Sequence, residues 1–195
     1  MANIITSEVI WTLLLTGVLP ALLWLFFWLR EDRFQPEPRG LLILTFMAGA
    51  IAVFLITPLD QVAVFFGLTD INKILFFAAV EEIAKFGVVF LIDFNSSYLD
   101  EPIDYAIYLI TGAIGFAAAE NVLFLLEPSL QQNISFVIET GTLRFLGATI
   151  LHSILGALLG LIIGFVFYKR KSTKIFFGAL GLGIVIILHL SLIHI

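Results

Sequence analysis

Six apolar runs, each close to twenty residues long, leave this chain few ways to fold. They cover roughly residues 9–29, 40–57, 74–92, 104–126, 145–168 and 175–195. A helix needs about 20 mostly apolar residues to cross the hydrocarbon core of a bilayer, and it can do so because its backbone N–H and C=O groups are satisfied within the segment. A closed barrel would instead show alternating segments of about ten residues, and these runs are continuous. Hydrophobic residues make up 61% of the 195 positions, against about 45–50% in soluble domains, and the gaps between runs leave no room for a soluble domain. The sequence therefore predicts an all-α polytopic membrane protein. It reads as a single integral membrane domain over residues 1–195, a bundle of about six transmembrane helices with the polar site inside.

The first run lacks a basic segment ahead of it and is long enough to span, so it reads as a retained helix rather than a cleaved signal. The segment "QVAVFFGL" (61–68) is too short to span and is expected at the interface. There are no cysteines, which excludes disulfides and thiolate metal sites. Arg30, Arg33 and Arg39 lie in the first loop, and Lys169, Arg170, Lys171 and Lys174 in the last. With six spans these loops share a side, which the excess of basic residues marks as cytoplasmic. Both termini are then expected outside. The loop between the third and fourth runs holds Asp93, Asp100, Glu101 and Asp104 and no basic residue, but acidic residues weigh little in that rule.

Within this apolar frame, "FFAAVEEIAKFGVVF" (76–90) carries Glu81, Glu82 and Lys85. A charged side chain at the centre of a spanning helix costs about 2.5–3.5 kcal/mol. Spacings of i,i+4 and i,i+3 let both carboxylates reach the ammonium, so one reading is an intrahelical ion pair that lowers its own cost. A pair needs only one glutamate, however, and the second is left over. Glu120 lies in "GFAAAENVLF", His152 in "ATILHSILGALLG" and His189 in "IVIILHLSLIHI". Taken singly, each histidine reads as a hydrogen-bonded residue of the bundle. Their depths argue otherwise. At about 1.5 Å per residue, Glu81, Glu120, His152 and His189 all fall roughly 9–10 Å below the same ends of their spans.

Carboxylates and imidazoles at one level are the ligand types of a catalytic zinc site, which has three nitrogen or oxygen ligands and one position left for water. A spare glutamate could then act as base. Small residues at Ala148, Gly156, Gly160 and Gly164 share a helical face with His152; such a face lets helices approach closely and seats His152 inward. Asn121, beside Glu120, reads either as a support for the site or as an ordinary interhelical hydrogen bond.

"EEIAK" (81–85) resembles the E-E-x-x-K motif of the PrsW family of intramembrane metalloproteases. "FAAAEN" (116–121) is similar to the family's F-x-x-x-E motif with its following Asn, His152 to the histidine of the third motif, and His189 to that of the last. The resemblance covers roughly residues 75–190 and extends to the related CAAX prenyl protease and bacteriocin-processing proteins. It implies a prokaryotic cell-membrane protein that hydrolyses peptide bonds of membrane-associated proteins, anti-sigma factors among them. It also implies paired catalytic glutamates, Glu81 and Glu82, with Glu120, His152 and His189 as the remaining polar positions. On this reading zinc is held by Glu120, His152 and His189, Glu81 activates water, Glu82 and Lys85 orient and balance it, and Asn121 supports the site. The pattern departs at one position: the last motif usually continues His-x-x-x-Asp or Asn, and here residue 193 is Ile.

Expected partners are the bilayer and a membrane-embedded protein substrate, not nucleic acid, and a homo-oligomer is compatible with this. Two other classes fit the same buried groups: a proton- or ion-coupled transporter or channel, since intramembrane Glu and His chains also relay protons, and a catalytically inert membrane scaffold of the same fold.

Overall fold

The structure, a computed structural model, describes residues 6–30, 35–131 and 133–193, with the side chains of Asp60, Asp70, Leu192 and Ile193 left out. Residues 1–5, 194–195 and Arg33 lie outside the described part, as does the side chain of the departing position, Ile193.

Helix α1 (Ser7–Leu13) starts at Thr6, whose hydroxyl accepts the Val9 N–H. It passes through one π-type turn, Leu14–Val18, into α2 (Leu19–Leu29). Pro20 has no N–H to give to the Thr16 carbonyl, and the helix widens just ahead of it. Helix α3 (Arg39–Ile56) begins after Pro38 and stops before Pro58. The short α4 (Leu59–Phe65), which covers most of the segment expected at the interface, is followed by a turn at Gly67, where φ is 63°. Then follow α5 (Asp70–Ile92), α6 (Asp104–Leu130), α7 (Ile134–Leu146), α8 (Ala148–Gly164) and α9 (Lys171–Ile193).

Among the described residues, five stretches are long and apolar enough to cross a membrane: Ser7–Leu29, Arg39–Phe65, Asp104–Leu130, Ile134–Gly164 and Lys171–Ser191. The sixth, α5, has the length but carries the three ionisable groups of residues 81–85. The expected fifth span starts eleven residues before 145, at Ile134. Ser135, Glu139, Thr140, Thr142 and Arg144 dilute its apolar signal, yet Val137 and Gly141 pack inside, and the helix runs on through a break at Gly147 into α8.

Helix α6 is apolar around its whole circumference, the pattern of a helix enclosed by others. All residues from Asp104 to Ala118 are buried. Two small-residue seams bring neighbours onto its backbone. A Cβ added to Gly115 would stand 2.0 Å from the Phe46 carbonyl oxygen of α3, and one on Gly160 would stand 2.3 Å from the Ala106 Cα. Gly156 faces the Leu109 carbonyl in the same way. The stripe read from the sequence is thus the face on which α8 meets α6. Outward, Phe26, Ile43, Phe54 and Leu55 are exposed, as a lipid-facing surface requires.

A methyl group at the α6–α8 seam has nowhere to go. Gly160→Ala should lower stability by about 1–3 kcal/mol, read as a lower thermal midpoint in detergent. Gly183→Ala, in open space, should leave the midpoint unchanged or raise it.

Candidate active site

On α5 the buried positions Ala78, Glu82, Lys85 and Val89 recur at helical spacing and face the bundle, with Glu81 one position to the side and partly buried. Glu82 is the hub. Its Oε1 accepts from Lys85 Nζ at 2.5 Å and lies 2.6 Å from His189 Nδ1 on α9. A carboxylate can only accept, so Nδ1 carries the proton and the lone pair of His189 sits on Nε2. Glu81 Oε2 is 3.8 Å from that Nε2.

From α8, His152 approaches at right angles to His189, with ring centroids 5.3 Å apart. Lys85 Nζ lies 2.8 Å from His152 Nδ1. An ammonium can only donate, so this places the His152 proton on Nε2, which points at Glu120 Oε2 3.3 Å away on α6. Glu120 Oε2 also accepts from Arg144 Nη2 at 2.6 Å, and Arg144 Nε donates to Asn121 Oδ1 at 2.6 Å. Asn121 in turn donates to Thr149 Oγ1 on α8 at 3.1 Å. The Phe116 ring lies 5.1 Å below Lys85 Nζ and 5.6 Å from the His152 ring.

Every candidate of the sequence reading, Glu81, Glu82, Lys85, Glu120, Asn121, His152 and His189, thus lies in one network that joins α5, α6, α8 and α9. Within it, Glu81, His152 and His189 each offer one ligand atom, and these atoms lie within 4.8 Å of one another. The donor set suits a metal: Glu81 Oε2 is buried with no hydrogen-bond partner, and His189 keeps a lone pair on the nitrogen that faces it. His152 is engaged at both nitrogens, so ligation requires it to release either Lys85 or Glu120. Glu120, held by Arg144 and His152, is outside the three.

Arg144 was not among the residues singled out from the sequence. It lies in the polar-diluted helix α7, one residue before the expected start of a span. The signal that could have found it is its spacing, two helical turns ahead of His152 on the same rod.

The family profile described as PrsW family intramembrane metalloprotease matches residues 37–191. Similar curated proteins include a Protease PrsW of Geobacillus kaustophilus, 29% identical over 163 residues, covering 82% of this chain and 67% of the relative. One from Bacillus subtilis is 21% identical over 179 residues, 89% of this chain and 77% of the relative. One from Oceanobacillus iheyensis is 27% identical over 173 residues, 85% and 76% respectively. No solved structure matches.

Arg144 sets the direction of the Glu120 carboxylate and is itself held by Asn121. Loss of such an outer partner commonly costs 10- to 100-fold. Peptide cleavage by Arg144→Ala should therefore fall by about that factor in kcat with KM little changed, and Arg144→Lys should recover part of it.

Proposed function

Because the chain belongs to the PrsW family of intramembrane metalloproteases, we propose that it is a zinc-dependent endopeptidase that cuts membrane-embedded proteins at the Glu81–Glu82–Glu120–His152–His189 cluster. Membership makes it a peptidase and an integral membrane protein of bacterial kin. The metal, the residue roles, the substrate and the topology are the proposal. The observation that carries it is the meeting of Glu81, His152 and His189 within reach of one ion, with a buried oxygen of Glu81 left unpartnered.

The cluster favours Glu81, His152 and His189 as the ligands. The family resemblance read from the sequence instead implies Glu120 in Glu81's place and Glu81 as base. A bound zinc would lower the pKa of a water towards about 7. The chain's own residues do the rest. Glu82 accepts the His189 Nδ1 proton and so keeps Nε2 free to bind. Lys85 offsets the charge of two adjacent carboxylates. Glu82, its side chain only 5% exposed and twice bonded, cannot serve water. Glu120, 21% exposed, takes the proton of the water that attacks the scissile carbonyl and returns it to the leaving amine nitrogen. Arg144 and Asn121 hold Glu120 in place.

The substrates are membrane-associated proteins with a span of their own, anti-sigma-factor-like proteins being the instance to test. The basic loops face the cytoplasm and both termini lie outside.

Metal content and turnover of single variants test these roles. The purified protein should hold about one zinc per chain, lost in Glu81→Gln, His152→Ala and His189→Ala. Glu120→Gln should keep the metal and lose about 100-fold or more in kcat on a single-span substrate. Zinc loss in Glu120→Gln but not Glu81→Gln would exchange the two roles. Full turnover without metal would refute the zinc reading.

A further inference from the structure

At the opposite end of α5 from its start, a cleft of about 660 Å³ opens between α5 and α9, away from the catalytic cluster. Its walls are apolar and largely aromatic. Phe86 and Phe90 of α5 and Phe94, just past its end, cluster with ring centroids 5.4–5.9 Å apart, and Leu182 of α9 lines the same cleft. Its mouth is basic, rimmed by Lys169, Lys171 and Lys174. Among the described residues no carboxylate pairs with any of the three; Lys174 makes only a contact over the Phe167 ring at 4.8 Å. Helix α9 also starts at Lys171, so its positive N-terminal end adds to the field at the mouth.

Three unpaired cations above an oily slot suit one kind of molecule, an anion attached to a hydrocarbon chain. A peptide helix, about 10–12 Å across with its side chains, asks for a wider opening than a chain of methylenes. An acyl chain is thin enough. The three lysines stand where α8 turns back into α9, at a helix end, which is the depth of lipid headgroups. The loop before α3 is at the same end, joined to the α5–α6 loop by the Gln35–Glu101 hydrogen bond of 2.6 Å, and Arg39 begins α3 there. Basic residues concentrated at one end mark the cytoplasmic leaflet, and that leaflet carries the anionic lipids.

We propose that this cleft is a binding site for an anionic phospholipid, with the headgroup phosphate on Lys169, Lys171 and Lys174 and an acyl chain along Phe86, Phe90 and Leu182. The site is independent of the peptidase cluster but mechanically close to it. Phe86 follows Lys85, whose ammonium bridges Glu82 and His152, and Leu182 lies two helical turns before His189.

Native mass spectrometry of the full chain from micelles holding equal phosphatidylglycerol and phosphatidylcholine tests this. One phosphatidylglycerol per chain should be retained, in about tenfold or greater preference. Each basic residue near an anionic headgroup contributes about fivefold, so Lys169→Gln, Lys171→Gln and Lys174→Gln combined should abolish the preference. Ala179→Trp, which fills the slot and leaves the charges in place, should expel both lipids. Equal retention of the two lipids by the unaltered chain would overturn the proposal. So would an unchanged preference in the triple variant, or displacement of the lipid by millimolar inorganic phosphate, which would make the mouth a free-anion site. A photo-crosslinker at position 90 that captures a co-reconstituted acidic single-span peptide instead of lipid would overturn it too.

Discussion

Ionised groups inside a bilayer must find their partners within the protein, and one chain of contacts does this here. It runs from His189 through Glu82, Lys85, His152 and Glu120 to Arg144, with separations of 2.5–3.3 Å. An isolated charge at this depth costs about 2.5–3.5 kcal/mol, so each link removes a penalty that its neighbour would otherwise face. The links come from α5, α6, α7, α8 and α9. The network therefore fixes the rotation of each helix about its own axis, which oil-on-oil packing alone leaves loose, because lipid tails compete equally for apolar faces.

The glycine seams make that network geometrically attainable. Gly156 and Gly160 let α8 lie directly on the backbone of α6 at Leu109 and Ala106. One turn along from Gly156, His152 is carried against Phe116 and into reach of Glu120. A larger residue in the seam would push α8 away, and a histidine side chain could not make up the distance. Packing and chemistry are thus joined in a single stripe, with small residues to set the distance and one imidazole to use it.

This explains what the sequence could and could not convey. Length and apolarity revealed the spans, but the common depth read for Glu81, Glu120, His152 and His189 rested on span ends that the helices overrun, the fifth starting at Ile134 instead of 145; the four meet through packing. Depth is a coordinate along the helix. It says nothing of azimuth, which depends on packing against neighbours not adjacent in sequence. For that reason the sequence could not show that Glu82 faces His189. Arg144 escaped notice for another reason. Its helix mixes Thr, Glu and Arg with apolar residues, and it is the packing of Val137 with Val9, Leu13 and Leu125, together with buried Gly141, that shows it belongs to the bundle. The π-type turn at Leu14–Val18 was likewise hidden, since Pro20 announces a disturbance without stating its form.

The central claim is that imidazoles from two separate helices meet at one metal. X-ray absorption at the zinc edge of the purified, zinc-loaded protein examines it directly. The account predicts scattering from two histidine rings together with oxygen ligands at about 2.0–2.2 Å. A spectrum with oxygen scatterers alone, or with one imidazole, would contradict it.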